Sequence, residues 1–87
     1  MQHQLICLSS LAPGWPARVA KITVEGSLRR RLQDLGLIPG TSIRCCFSAP
    51  SGSPAAYEIR GALIALRQLD AEKILVCPQE KPGRDAS

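Results

Sequence analysis

Aromatic residues are nearly absent from this chain: one Trp, one Tyr and one Phe among 87 residues, 3% of the total. Surfaces that stack nucleobases are built from several exposed rings, so the composition disfavours a nucleic-acid platform. Histidine occurs once, as His3, near an N-terminus expected to fray. The four cysteines, Cys7, Cys45, Cys46 and Cys77, form no Cys-x-x-Cys pair and no zinc-type spacing with histidine. No stretch approaches the about 18 apolar residues of a membrane-spanning helix. The opening MQHQLICLSS has neither the charged start nor the long apolar core of a secretory leader. The expectation is a soluble, cytoplasmic protein with no membrane insertion, whose thiols stay reduced and act as small apolar residues.

Catalytic signatures are missing as well. There is no phosphate loop, no Gly-x-Ser-x-Gly and no His-Glu-x-x-His. Asp34, Glu58, Asp70 and Glu72 are scattered over a helix, a strand and a turn, which is no arrangement for a general acid–base pair. The glycine in PSGSP does not lead into a helix N-terminus, so it makes no phosphate cradle. The sequence therefore reads as a non-enzyme, with no cofactor and no metal site expected.

What is present is a small, ordinary globular composition: 45% hydrophobic, 21% charged, net charge +4, with a pI near 9.2. A chain of this length makes one domain and buries only about 60% of its unfolded surface. The basic residues are spread out except for Arg29-Arg30-Arg31.

Short apolar stretches alternate with turn residues along the chain. Leu5–Leu8 is apolar and is ended by Pro13-Gly14. Ala17–Val24 reads as a strand with Val19 on one face and Ala20, Ile22 and Val24 on the other. Ser27 is positioned as a helix N-cap. Leu28, Leu32 and Leu35 then recur at i, i+4 and i+7, the stripe of an amphipathic helix. Gly36 stands where a left-handed residue ends a helix, and Pro39-Gly40 fits the corners of a type II turn. Thr41–Ala49 is a second strand, predicted to bury Ile43, Cys45 and Phe47, with the neighbours Cys45 and Cys46 on opposite faces. AAYEIR, ALIALR and ILVC complete the strands, with QLDAEK as one helical turn. The sum is a mainly β fold: a small, partly open β-barrel of about five strands with one inserted α-helix. Residues 1–77 form the domain, and 78–87 read as a polar, disordered tail.

Two surface features stand out. The arginine run has one reading as a partner contact and another as a solvated helix face, with Arg30 weakly paired to Asp34. Leu37 and Ile38 follow the helix stop. Either they pack as core beyond the cap, or a rigid turn presents them beside positive charge. Trp15, between Pro13 and Pro16, reads first as a plug for the open end of the barrel and second as a binding hot spot.

The order of motifs from RRRLQDLGLIPG to DAEKILV resembles the FeoA family, small proteins of bacterial ferrous-iron transport. The family's helix-and-turn pattern is matched by Arg31, Leu32, Leu35, Gly36, Leu37, Pro39 and Gly40. Its Ala-Pro-x-Gly-x-Pro is matched by Ala49, Pro50, Gly52 and Pro54, with Ser53 where the family often has Asp. Arg60-Gly61, Ala65-Leu66-Arg67, Asp70-Ala71, Ile74 and Val76 continue the match. The resemblance implies an SH3-like barrel and a role as an accessory, non-catalytic interaction module of FeoB, the membrane ferrous-iron transporter with a cytosolic GTP-binding domain. The contact residues expected on that basis are Arg29, Arg30, Leu37 and Ile38. The alternatives are a small basic barrel that binds nucleic acid and a metal-responsive regulatory domain. Exposed edge strands also leave room for a homo-oligomer.

Overall fold

A computed structural model describes residues 4–79. Six strands form one antiparallel sheet: β1 (Ile6–Cys7), β2 (Pro16–Ile22), β3 (Ser42–Ser48), β4 (Ala55–Ile59), β5 (Ala62–Leu66) and β6 (Ile74–Pro78). Helix α1 (Ser27–Asp34) joins β2 to β3, and the single turn α2 (Gln68–Ala71) joins β5 to β6. A 3-10 turn, Leu8–Ser10, follows β1.

The strand order is β1-β6-β2-β3-β4-β5, so β1 and β5 are the free edges. The sheet curls far enough for the 3-10 turn after β1 to pack against α2 after β5. The two edges do not pair, and the barrel stays open between them. One apolar face lines the inside, where Leu8, Val19, Leu37, Ile43, Tyr57, Ile59, Ile74 and Val76 are buried. Leu32 from α1 and Val24 from the segment before it join the same core. Six strands replace the expected five because Ile6 and Cys7 pair with Val76 and Leu75.

Two bulges decide which side chains face inward. In β2 the register shifts between Val19 and Lys21, leaving Ala20 as the extra residue. Val19 pairs with Val76, Lys21 with Leu75 and Ile22 with Ile74. Val19 and Ile22 thus share the core side, contrary to the alternation expected from the sequence, and Lys21 is kept in water. An inserted residue reverses the phase of every later side chain.

In β3 the shift lies between Cys45 and Phe47. Cys45 is buried opposite Tyr57, and Phe47 pairs with Ala56 on the outside, 58% exposed. The expectation that Phe47 fills the core fails for this reason. Cys46 occupies the bulge, half-buried. Arg44 and Glu58, directly opposite on the outer face, form an ion pair that raises the arginine pKa through the hydrogen bond and charge of Glu58.

The sheet also runs past the expected end of the domain. Pro78 pairs with Ala17, and the Gln79 amide donates to Pro16 O at 3.0 Å. The remainder of the expected tail, and His3, lie outside the described residues. Among the described residues no helix is long and apolar enough to cross a membrane.

Candidate functional site

The helix-to-strand elbow between α1 and β3 is a densely hydrogen-bonded surface feature. Its helix begins without the expected serine cap. Ser27 is the first helical residue, and Gly26 stands at the N-cap with φ 77° and no side-chain bond. The start of α1 is held instead by Arg29, whose Nη1 donates to Ile22 O at 2.9 Å and to Val24 O at 3.3 Å. This guanidinium ties the first turn of the helix to the end of β2.

The helix stops as the sequence predicts. Gly36, at φ 96°, takes the left-handed position. Its amide donates to Gln33 O and the Leu37 amide to Leu32 O, both at 2.9 Å, the paired bonds of a Schellman ending. Leu37 and Leu32 are both buried, which supplies the apolar contact that accompanies this motif. The next four residues, Ile38 to Thr41, form the turn: Thr41 N donates to Ile38 O at 2.9 Å, with Gly40 at φ 94°. A type II turn places its glycine in this conformation.

Thr41 closes the elbow on itself. Its hydroxyl accepts from the Ile38 amide at 3.1 Å and donates to Gly36 O at 2.9 Å. The elbow is also stitched to β2, through Gly40 N to Val19 O at 2.7 Å and Val19 N to Thr41 O at 2.9 Å. Ile38 is therefore presented by a backbone with little freedom, and it is 53% exposed.

The four residues expected to make contacts divide. Leu37 is fully buried and is core, not surface. Ile38 is the exposed member of the pair. Arg29 is committed to backbone carbonyls at the far end of α1, which separates it from Gly36 by about 10 Å. Arg30 is exposed, and no ion pair joins it to Asp34 among the described residues. The cations that border the elbow are two others. Arg18 Nη1 donates to Gly40 O at 3.0 Å. The Arg60 side chain lies over Gly36, so close that a Cβ there would stand 2.5 Å from Arg60 Cδ. A local signal for Arg18 existed, since it falls on the outward phase of β2. Arg60 reaches the elbow only through the β3–β4 pairing, which no short-range pattern reports.

Elsewhere, a cavity of about 260 Å³ lies under the Ser9–Pro13 segment, with Cys45, Tyr57, Leu66 and Gln68 among its walls. Burial, then the neighbouring Cys45, pushes the Tyr57 phenol up to about 12. Burial also raises the Cys45 thiol, with a further contribution from Cys46. The Tyr57 hydroxyl is 3.5 Å from Leu8 O, a long contact. Ser53, which replaces the family's frequent Asp, still caps: its Oγ accepts from the first amide of α2, Gln68 N, at 2.9 Å. Trp15 is partly exposed. All four cysteines are free thiols. No group of three or more His, Cys, Asp or Glu side chains suited to a metal ion occurs among the described residues.

The model of the FeoA domain matches residues 6–78, nearly the whole described body. The chain belongs to the FeoA family. A Porphyromonas gingivalis protein named as a fusion of Fe(2+) transport protein A with the Fe(2+) transporter FeoB is 33% identical over 69 residues. That stretch is 79% of this chain and 8% of the relative, so the chain spans a small part of that protein's length. The solution structure of FeoA from Chlorobium tepidum is 33% identical, with a TM-score of 0.81 over 94% of this chain and 78% of that one. FeoA of Stenotrophomonas maltophilia, described as a prokaryotic SH3 domain protein, is 24% identical with a TM-score of 0.70 over 86% of this chain and 96% of its own. At that identity the likeness shows the fold, which is the SH3-like architecture expected from the motif order. Part of the motif set of that resemblance builds the elbow: Leu32, Gly36, Leu37, Pro39, Gly40 and, across the sheet, Arg60.

Proposed function

We propose that this FeoA domain is a non-catalytic interaction module of bacterial ferrous iron uptake, acting in the cytoplasm on the cytosolic part of a FeoB-type transporter. The observation that carries this reading is the relative in which the same domain and FeoB are one polypeptide. Fusion keeps two parts at high effective concentration, which is useful when they work in contact.

The elbow is the proposed contact. Ile38 supplies an exposed apolar anchor on a rigid turn, and its neighbour Leu37 is buried in the core. Arg18 and Arg60 supply a positive rim, with Arg30 adding the same sign of charge on α1. An apolar centre with a charged rim suits a protein contact, in which the centre contributes affinity and the rim steers approach.

An NMR titration of labelled domain with the cytosolic domain of FeoB, with and without guanine nucleotide, tests both levels. Shifts clustered at residues 36–41, Arg18 and Arg60 support the module and its face. Shifts confined to another surface retain the partner and discard the elbow. An unchanged spectrum at high partner concentration removes direct contact with that domain.

A further inference from the structure

Strand β5 is a bare, uncharged edge. Its five residues, Ala62–Leu66, contain no charge and no proline, and no bulge interrupts their pairing with β4. Natural sheets usually protect an edge with one of these devices. The hairpin that makes it is tight: Arg60 (φ 49°) and Gly61 (φ 86°) form a two-residue turn closed by the Ile59–Ala62 pair. Antiparallel alternation from that pair points Ala62, Ile64 and Leu66 at β4 and leaves the amides and carbonyls of Leu63 and Ala65 facing outward. Both residues are exposed, Leu63 by 58%.

The outer face beside this edge is apolar. Phe47, Ala56 and Ala65 form one row across β3, β4 and β5. Ala56, in its middle, is only 6% exposed although it is not part of the inner core. Arg44, Glu58 and Leu63 form the neighbouring row, in which the two charges neutralise each other. Arg67 follows β5 directly at one end, and Arg60 stands in the turn at the other, with its exposed side chain laid over Gly36. Neither is held in an ion pair among the described residues.

We propose that the β5 edge is a docking site for an extended segment of a partner protein, apolar at its centre and acidic at both ends. Such a segment adds a seventh strand, bonds to Leu63 and Ala65, and extends both outer rows. The charges select this occupant over a second copy of the chain. A two-fold pairing of β5 with itself, Leu63 opposite Ala65, sets Arg67 of each copy opposite Gly61 and next to the turn that carries Arg60 of the other. This like-charge approach at both ends disfavours self-pairing. Acidic residues seven positions apart, counted inclusively, meet Arg67 and the turn instead.

The test uses a synthetic peptide, acetyl-Glu-Thr-Ile-Val-Ile-Thr-Glu-amide, titrated into labelled protein at low salt. The expected result is shifts and slowed amide exchange at Leu63 and Ala65. The same peptide with Lys at both ends binds about fivefold to tenfold more weakly, and Arg67→Glu narrows or reverses that preference. A peptide N-methylated at the bonding positions fails to bind. Equal binding of the Glu and Lys peptides, shifts that avoid β5, no binding at millimolar peptide, or concentration-dependent protection of β5 without peptide each overturn the proposal, the last in favour of self-pairing.

Discussion

The Arg60 side chain lies across the Gly36 backbone, filling the space that a Cβ at residue 36 would occupy. Two segments 24 residues apart in the chain thereby meet at the helix stop. Gly36 and Gly40 both have positive φ, but a Cβ added at Gly40 would meet nothing within 4 Å. Alanine at either position costs about 1–2 kcal/mol from the backbone conformation. Gly36→Ala costs more, because it also displaces Arg60. Urea unfolding of the double-mutant cycle measures the coupling, expected at about 0.5 kcal/mol or above. Identical costs of Gly36→Ala with and without Arg60 mean the guanidinium stem swings away freely.

Leu37 and Ile38 are neighbours with opposite fates. Leu37→Ala empties a fully buried site and costs about 2–5 kcal/mol. Ile38→Ala changes an exposed side chain and stays within about 0.5 kcal/mol. Denaturant midpoints of the two variants distinguish them directly. A large loss at Ile38 places it in packing and removes it as a free anchor.

The elbow was legible in the sequence because its chemistry is local. A leucine stripe, a glycine after it and Pro-Gly two residues later each act through their own backbone angles. The strand faces were legible only up to the bulges at Ala20 and Cys46. A bulge depends on the partner strand, so Phe47 looked like core and is not. The arginines that border the elbow were not legible for a similar reason. Arg29 lies close to the elbow in sequence, while Arg18 and Arg60 lie close to it in space.

Arg29 and Arg30 are likewise unequal. Arg29 donates to Ile22 O at the end of β2 and to Val24 O in the segment that leads into α1. Arg29→Ala is expected to cost about 1 kcal/mol and to speed amide exchange in the first turn of α1. Arg30→Ala leaves both nearly unchanged. Equal exchange rates in the two variants argue that water replaces the Arg29 bonds without loss.

Tyr57 gives a signature in alkaline solution. Its pKa is raised from 10.0 to about 12 in the folded chain, first by burial and then by Cys45. The folded state therefore holds the phenolic proton where the unfolded state releases it. The contribution is fully present below pH 10 and is lost as pH rises through about 12. The raised Cys45 thiol adds a loss of the same sign, starting from its lower ordinary value. Stability measured against pH falls across this window, and Tyr57→Phe flattens the slope. The long 3.5 Å contact to Leu8 O makes that substitution mild near neutrality, at about 1 kcal/mol or less. An unchanged alkaline slope in Tyr57→Phe assigns the titration to another group.

If the elbow docks as proposed, its apolar and charged parts act on different rate constants. Arg18 and Arg60 sit in water at the border of the turn, where charges steer encounter and are screened by salt. Charge removal at Arg60 is expected to lower the association rate with the cytosolic domain of FeoB several-fold at low salt, with the difference closing near about 0.5 M salt. Arg60 is the better test of the two, since Arg18 also bonds Gly40 O and its loss disturbs the turn. Ile38→Ala removes the contact made only after docking, so it raises the dissociation rate and leaves association almost unchanged. Surface plasmon resonance at several salt concentrations separates these effects. An Arg60 variant whose deficit persists at high salt, or an Ile38 variant with normal dissociation, places the contact on another face of the barrel.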